Sequence, residues 1–238
     1  MTPLTHARPE IHHSHRDVTG GWLRPATFGV MDGLVSNFAL VTGIIGGGGT
    51  GSAVLLAGFA GLVAGACSMA TGEYTSVSSQ TELMRAEIAV ERREIERNPE
   101  EEIRELTLTY EAKGLRPELA AEVARELHSR PEVAWRVHVR EELGVDPDDL
   151  PSPWTAAASS FVAFAVGALI PILPFLLGAT SIVPTLILTA VMLATTGGLV
   201  ARLTARPIWF GGGRQLLLGA LSAAVTYGIG LLVGVTIS

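Results

Sequence analysis

Cysteine is nearly absent from this chain, since Cys67 is the only one among 238 residues. One cysteine excludes an intrachain disulfide. The first 24 residues also lack an apolar core, so we expect no cleaved signal peptide and expect the first apolar segment to direct insertion. This polar N-terminal tail (residues 1–24) has four histidines that either collect metal or have no function, namely His6, His12, His13 and His15.

Charge is scarce over most of the chain and concentrated in one segment. Residues 81–150 contain 19 of the 23 acidic residues and 11 of the 17 basic residues. The formal net charge of −6 comes from this segment, which argues against nucleic acid and favours cations as partners. We define residues 81–152 as the insert and expect it to be a soluble domain between two membrane parts.

The rest of the chain is apolar, and the whole has 48% hydrophobic residues and a mean hydropathy of +0.39. Five stretches reach the roughly 20 residues that cross a hydrocarbon core about 30 Å thick. They are residues 25–46, 53–76, 155–177, 182–201 and 215–237. The sequence therefore predicts an all-α polytopic membrane protein, with transmembrane helices 1 and 2 within residues 25–80 and helices 3 to 5 within residues 153–238.

Basic residues are missing from the connectors that follow the first and third spans. The N-terminal tail and the connector between spans four and five have three arginines each: Arg8, Arg16 and Arg24 in the tail, and Arg202, Arg206 and Arg214 in the connector. The positive-inside rule then places the N-terminus, the insert and this connector in the cytoplasm. Five spans put the C-terminus on the far side of the membrane.

The insert has the pattern of a helical subdomain. No helix breaker follows the second span until Pro99, so we predict that this helix projects into the cytoplasm as one long element. Pro99, Pro117 and Pro131 each suit the first turn of a further helix, while Gly114 and Gly144 suit helix ends. The sequence therefore predicts three or four short cytoplasmic helices.

Two acidic residues, Asp32 and Glu73, lie within predicted spans. A carboxylate in hydrocarbon costs roughly 2.5–3.5 kcal/mol on insertion scales, so each is a candidate functional residue. Asp32 and Met69 are each expected roughly 10 Å inside the inner boundary, and Met69 shares a helix face with Glu73. No basic residue lies inside any span to pair with these acids. Two carboxylates and a thioether therefore predict a pathway for protons and transition-metal cations.

Acidic faces recur on three predicted helices of the insert. The acidic residues are Glu87, Glu91 and Glu94 on the extension of span two, Glu102 and Glu105 on the next helix, and Glu142 on the last helix, where His138 shares its face. Carboxylates and one imidazole suit Fe²⁺ or Mn²⁺, and Zn²⁺ or Co²⁺ as further candidates. The alternative is a solvated charged surface in which arginines pair with these glutamates.

Several segments resemble the vacuolar iron transporter family, and the chain looks like a prokaryotic-type member. They are MDGLVSNFALVTG, LVAGACSMATGEYTSVSSQTEL, REELG and GALIPILPF, and the similarity extends over residues 16–238. The resemblance implies a homodimer with five spans per subunit, whose first spans line the pathway, and a cytoplasmic three-helix metal-binding domain. It also implies proton-coupled export of Fe²⁺ from the cytosol, with Mn²⁺ often accepted.

The resemblance also implies roles for individual residues. Asp32 corresponds to the pore aspartate and Met69 to the pore methionine. The glutamates that correspond to the family's cytoplasmic metal ligands are Glu91, Glu94, Glu102, Glu105 and Glu142. A second-span glutamate of the best-described plant member falls on Gly61 here, which suggests that Glu73 supplies the missing carboxylate. A methionine of its cytoplasmic site falls on His138, which gives a harder ligand set.

These observations together predict a transporter and not an enzyme, with no tightly bound cofactor and no nucleic-acid partner. Its expected partners are divalent cations, protons, membrane lipid and a second copy of the chain, and its expected location is a prokaryotic plasma membrane. One rival is a membrane-bound di-iron ferroxidase, although the insert has no Glu-x-x-His pair of the kind such bundles use. Another rival is a metal sensor that binds without transport.

Overall fold

The computed structural model describes residues 21–237, with side chains for residues 21–234. These residues form eight α-helices and one π-helical turn, and this described part contains no strand. The helices are α1 (Leu23–Gly46), α2 (Gly51–Arg97), α3 (Pro99–Ala112), α4 (Pro117–His128), α5 (Pro131–His138), α6 (Pro153–Leu176), α7 (Val183–Leu203) and α8 (Ile208–Ile237), and the π-helical turn is Val139–Leu143. The predicted all-α class is confirmed. The four tail histidines lie outside the described residues.

Five of these helices, α1, α2, α6, α7 and α8, are long and apolar enough to cross a membrane, as predicted. The second helix continues unbroken for 47 residues to Arg97, a length of about 70 Å. Its continuation past the apolar segment confirms the predicted long helix. Pro99, Pro117 and Pro131 each begin a helix, also as predicted, because proline suits a first turn whose N–H has no partner.

The fifth apolar helix begins at Ile208 and not at residue 215, so only residues 204–207 connect α7 to α8. The predicted connector between the fourth and fifth spans includes the glycine triplet Gly211, Gly212 and Gly213. Gly211 lies within α8 where this helix crosses α7, and a Cβ on Gly211 would collide with the backbone oxygen of Gly197. The triplet therefore permits close helix packing, which local sequence did not reveal.

The apolar helices form a bundle in which α6 packs against both α1 and α2, while α8 packs against α1 and α7. Gly33 and Gly167 lie at the crossing of α1 and α6. A Cβ on Gly33 would collide with the carbonyl oxygen of Phe164, and a Cβ on Gly167 would collide with that of Val30. Small residues at this crossing bring the backbones of α1 and α6 together, which positions α1 against the rest of the bundle.

The four helical elements after α2 form a small core of their own. Leu106 of α3, Ala120 and Ala124 of α4, and Val139 of the π-helical turn are almost fully buried. Thr81 Oγ1 donates a hydrogen bond to the carbonyl oxygen of Pro151 at 3.0 Å. The two ends of the insert therefore adjoin each other, as expected for a domain that leaves and re-enters the same side of a bundle.

Candidate metal centres

Four side chains from four different helical elements converge in the insert. Glu91 comes from α2, Glu102 from the first turn of α3, His138 from the end of α5 and Glu142 from the π-helical turn. One ligand atom from each lies within 4.8 Å of the other three. We call these residues the carboxylate–imidazole cluster. Single-turn π segments are frequent at functional sites. Here the π-helical turn begins directly after His138 and includes Glu142.

The imidazole of His138 is at the centre of the cluster and is fully buried. Its Nδ1 atom lies 2.8 Å from Glu142 Oε1, 3.1 Å from Glu91 Oε1 and 3.5 Å from Glu102 Oε2. Glu102 is also buried, with 8% of its surface exposed. Three carboxylates therefore surround a single ring nitrogen in a place that water reaches poorly.

This crowding raises the pKa of Glu102, of Glu142 and of the imidazole of His138. Burial, followed by the negative charge of Glu91, raises the pKa of Glu102 to about 7. Burial also raises the pKa of Glu142. For His138, burial alone lowers the pKa, but the carboxylates of Glu91 and Glu142 outweigh it, so the pKa is raised overall. Without a metal cation, the cluster therefore holds protons near neutral pH.

Two buried atoms of the cluster have no hydrogen-bond partner, namely Glu91 Oε1 and His138 Nε2. His138 Nδ1 is hydrogen-bonded to Glu142 Oε1, and Glu91 Oε1 has no donor of its own. Oxygen and nitrogen ligands about 2.0–2.2 Å from a divalent ion lie at most roughly 4.4 Å apart. A small inward movement of these side chains therefore suffices to coordinate one cation, and the donor set fits Fe²⁺, Mn²⁺ or Zn²⁺.

The other three predicted ligands of the insert lie around the cluster and not within it. Glu94 Oε2 accepts a hydrogen bond from Asn98 Nδ2 at 2.8 Å. Glu105 is exposed, yet its charge contributes to the raised pKa of Glu102. Glu87 is exposed one turn before Glu91 on α2. These three acids add negative potential near the cluster, where it attracts cations.

A second candidate site lies among the apolar helices. Asp32 and Met69 line the same cavity, whose volume is about 370 Å³. The other residues of its wall are Ser36, Asn37, Leu40, Gly61, Gly65, Ser68 and Phe164. Asp32 is half-buried and has no hydrogen bond or ion pair within residues 21–237. The cavity thus combines one carboxylate without a counterion with one thioether.

Glu73 does not line this cavity, and the expectation that it has no positive partner is wrong. Its Oε2 atom lies 3.2 Å from Arg24 Nη2, at the beginning of α1. Only 10% of the Glu73 side chain is exposed, whereas Arg24 is 75% exposed. The sequence had assigned Arg24 to the tail outside the span. Its long side chain reaches across to α2 and neutralises the buried carboxylate.

Two further residues lie at these sites without having been predicted. Asn37 is buried in the wall of the cavity, and the signal for it was a polar amide within an apolar span. His128 lies edge-on to His138, with ring centroids 5.0 Å apart. Burial lowers the pKa of His128, so this second ring is neutral at physiological pH. Its sequence spacing from His138 gave no sign of the contact.

Comparison with known proteins identifies the family. The model of the VIT family matches residues 23–231. The chain belongs to the VIT family. A protein of Acanthamoeba castellanii called "Vacuolar iron transporter" is 37% identical over 222 residues, which cover 90% of this chain and 79% of that protein. "Vacuolar iron transporter 1" of Oryza sativa is 30% identical over 92% of this chain and 88% of its own length. "Vacuolar iron transporter 1" of Arabidopsis thaliana is 33% identical over 70% of this chain and 67% of its own length.

The VIT family match includes both candidate sites, because it extends from the first residue of α1 into α8. The resemblance inferred from the sequence motifs is therefore confirmed. Together with the five apolar helices, it establishes that this VIT family member is an integral membrane protein.

Proposed function

We propose that this chain exports divalent metal from the cytosol in exchange for protons, with Fe²⁺ as the main substrate and Mn²⁺ as the second. The named relatives are iron transporters. One structural observation supports the proposal above all others: a cation-binding cluster outside the apolar bundle coexists with a cavity inside it that contains the unpaired Asp32. A protein that only stores or senses metal has no use for the second feature.

Capture takes place at the carboxylate–imidazole cluster. An arriving Fe²⁺ displaces the protons that Glu102, His138 and Glu142 share, because their ligand atoms are already gathered around one point. Metal binding therefore releases protons into the cytosol. The surrounding glutamates, Glu94 and Glu105 among them, increase the local concentration of cations before capture.

Passage through the membrane uses the cavity between α1, α2 and α6. The hard carboxylate of Asp32 and the soft thioether of Met69 suit a first-row transition metal better than Mg²⁺ or Ca²⁺. When the ion leaves, Asp32 has no positive side chain to neutralise it, so a proton from the far side takes the place of the metal. Alternation of metal and proton at one carboxylate couples the two fluxes in opposite directions.

Several wider features form part of the same proposal. The arginine distribution supports an insert on the cytoplasmic side, where residues 81–152 act as a metal-binding domain, and a C-terminus on the far side. We propose a homodimer, in keeping with the sequence resemblance. We also propose a prokaryotic plasma membrane as the location. The relatives are named as vacuolar transporters. In a plasma membrane, export by this chain removes metal from the cytosol.

Flux in proteoliposomes tests the proposal. Purified protein is reconstituted with a metal-sensitive dye and a pH-sensitive dye inside, and Fe²⁺ is added under anaerobic conditions across an imposed pH gradient. We expect metal entry with matching proton movement, and we expect Asp32→Asn to abolish both while metal binding at the insert persists. Ser36→Ala, in the same cavity wall and without loss of charge, is the matched control. Full Fe²⁺ flux in Asp32→Asn would refute the role of this cavity.

The same measurement distinguishes the rivals. A di-iron ferroxidase would consume oxygen on addition of Fe²⁺ and show no dye response inside the vesicles. A sensor would bind metal without flux and without oxygen consumption. The cluster has three carboxylates and one imidazole around a single point, which favours one ion over the two-ion centre that a ferroxidase requires.

A further inference from the structure

The amide of Asn37 has an orientation fixed by two different helices. Its Nδ2 atom lies 3.2 Å from the carbonyl oxygen of Gly58 on α2 and 2.5 Å from that of Ala168 on α6. Carbonyl oxygens only accept hydrogen bonds, so the amide nitrogen must face both of them. Asn37 Oδ1 consequently points away from these carbonyls, and the side chain has no freedom to exchange the two ends.

That oxygen is buried and has no hydrogen-bond partner. Asn37 as a whole is only 2% exposed. Oδ1 faces Gly61, since a Cβ built on Gly61 would lie 3.2 Å from it, and both residues line the cavity that contains Asp32 and Met69. Buried polar atoms are normally paired, so an unpaired oxygen that faces a cavity is a candidate ligand for a cation in that cavity.

We propose that Asn37 Oδ1 is a third ligand for the transported cation, beside the carboxylate of Asp32 and the thioether of Met69. This inference rests on the proposed function. Amide oxygens are hard, neutral ligands of divalent cations. Because Glu73 is paired with Arg24, the oxygen of Asn37 supplies the second hard ligand of the cavity without adding a second charge.

A ligand of this kind has a consequence for selectivity. Without the amide oxygen, only the carboxylate of Asp32 and the thioether of Met69 remain as ligands. The soft thioether is then one of two ligands, so the site favours softer ions. Transport of Mn²⁺, a hard ion, should therefore decrease much more than transport of Cd²⁺, a soft ion. A residue that only ties α1 to α2 and α6 would affect both ions equally when it is removed.

The decisive variant is Gly61→Ala, which keeps the Asn37 side chain and both of its carbonyl partners in the protein. Its new methyl group lies 3.2 Å from Asn37 Oδ1 and 2.7 Å from Leu40 Cδ2, a flexible side-chain end that moves easily. The methyl group therefore obstructs access to the oxygen. Gly72→Ala is the matched control, because the same change on the same helix meets no atom within 4 Å. Asn37→Leu removes the oxygen itself.

We expect Gly61→Ala to lower the ratio of Mn²⁺ flux to Cd²⁺ flux in proteoliposomes about tenfold, and Asn37→Leu to lower it similarly where that variant folds. Gly72→Ala should keep the wild-type ratio. If the wild-type protein transports metal and Gly61→Ala keeps its Mn²⁺ to Cd²⁺ ratio, Asn37 is not a ligand, although the transport proposal stands.

Equilibrium binding separates the two proposals from each other. Full-length protein in detergent, with metal binding at the insert cluster weakened by Glu102→Gln, is titrated with Mn²⁺. We expect Gly61→Ala to weaken the remaining Mn²⁺ binding about tenfold, and Gly72→Ala to leave it unchanged. Weaker Mn²⁺ binding by Gly61→Ala, combined with no metal flux through the wild-type protein, would support Asn37 as a metal ligand and overturn the transport proposal. Equal Mn²⁺ affinities of the Gly61→Ala and Gly72→Ala variants would show that Asn37 is not a metal ligand.

Discussion

Arg24 Nη2 lies 3.2 Å from Glu73 Oε2 and thereby joins the beginning of α1 to the buried face of α2. The two acidic residues within the apolar helices, Asp32 and Glu73, therefore differ in whether a basic side chain neutralises them. Glu73 has a permanent positive partner, whereas Asp32 has none within residues 21–237 and faces a cavity. The first is expected to stabilise the packing of two helices, and the second to hold the exchanging cation or proton.

Glu73→Gln is therefore expected to keep more than half of the metal flux, whereas Asp32→Asn is expected to lose it. Gln keeps the shape of Glu73 and a hydrogen-bond acceptor for Arg24. The exposed guanidinium limits the stability loss to about 1 kcal/mol. Initial rates of Fe²⁺ entry into proteoliposomes, normalised to reconstituted protein, provide the measurement. Equal loss of flux in both variants would show that Glu73 belongs to the pathway after all.

Glu102→Gln is expected to weaken metal binding at the insert by at least about tenfold, since loss of an outer-shell partner alone often costs about 10–100-fold. Glu101→Gln is the matched control, because Glu101 is the adjacent residue on α3, is exposed and pairs with Arg104. Titration calorimetry with Mn²⁺ measures both. Similar affinities for the two variants would mean that the cluster does not bind the ion.

Metal binding at the cluster should strengthen as pH rises from 6 to 8. The pKa of Glu102 is raised to about 7, and those of Glu142 and His138 are also raised, so protons compete with metal in this range. Calorimetry with Mn²⁺ at several pH values, in buffers of different ionisation enthalpy, measures both affinity and released protons. An affinity that stays constant over this range would contradict the assigned ligands.

The same raised pKa values predict how the metal-free protein responds to pH. When the pKa of a group is higher in the folded protein than in the unfolded chain, the group favours the folded state at pH below its unfolded-state pKa. This contribution to stability is lost as the pH rises through the folded-state pKa. For Glu102 the loss occurs between its ordinary value of 4.5 and about 7. Thermal unfolding without metal should therefore shift to lower temperature over this range, and less so in Glu102→Gln. Addition of Mn²⁺ at pH 8 should restore stability.

Gly33→Ala is expected to destabilise the bundle by about 1–3 kcal/mol, the usual cost of overpacking. Its Cβ would collide with the carbonyl oxygen of Phe164, which is backbone and yields little. Gly72→Ala, whose Cβ meets nothing within 4 Å, provides the comparison. Thermal unfolding in detergent detects the difference. Equal transition temperatures for the two variants would mean that α1 and α6 separate easily at this crossing.

The amino-acid sequence alone was sufficient for the features that depend on short-range patterns. The lengths of the apolar segments predicted five spans, and the absence of a breaker before Pro99 predicted the long α2. His138 and Glu142 were expected to share a face because residues four apart do so in any helix, and their side chains are in contact. Spacing along one helix determines each of these features.

Only the tertiary structure determined which side chains from different helices meet. It brought Glu91, Glu102 and His138 together, placed Glu94 outside, and joined Arg24 to Glu73. It also aimed the oxygen of Asn37 into a cavity by means of carbonyl groups 21 and 131 residues away in the chain. Periodicity defines the face of a helix on which a residue lies, but the rotation and crossing of that helix against its neighbours depend on packing across the whole bundle.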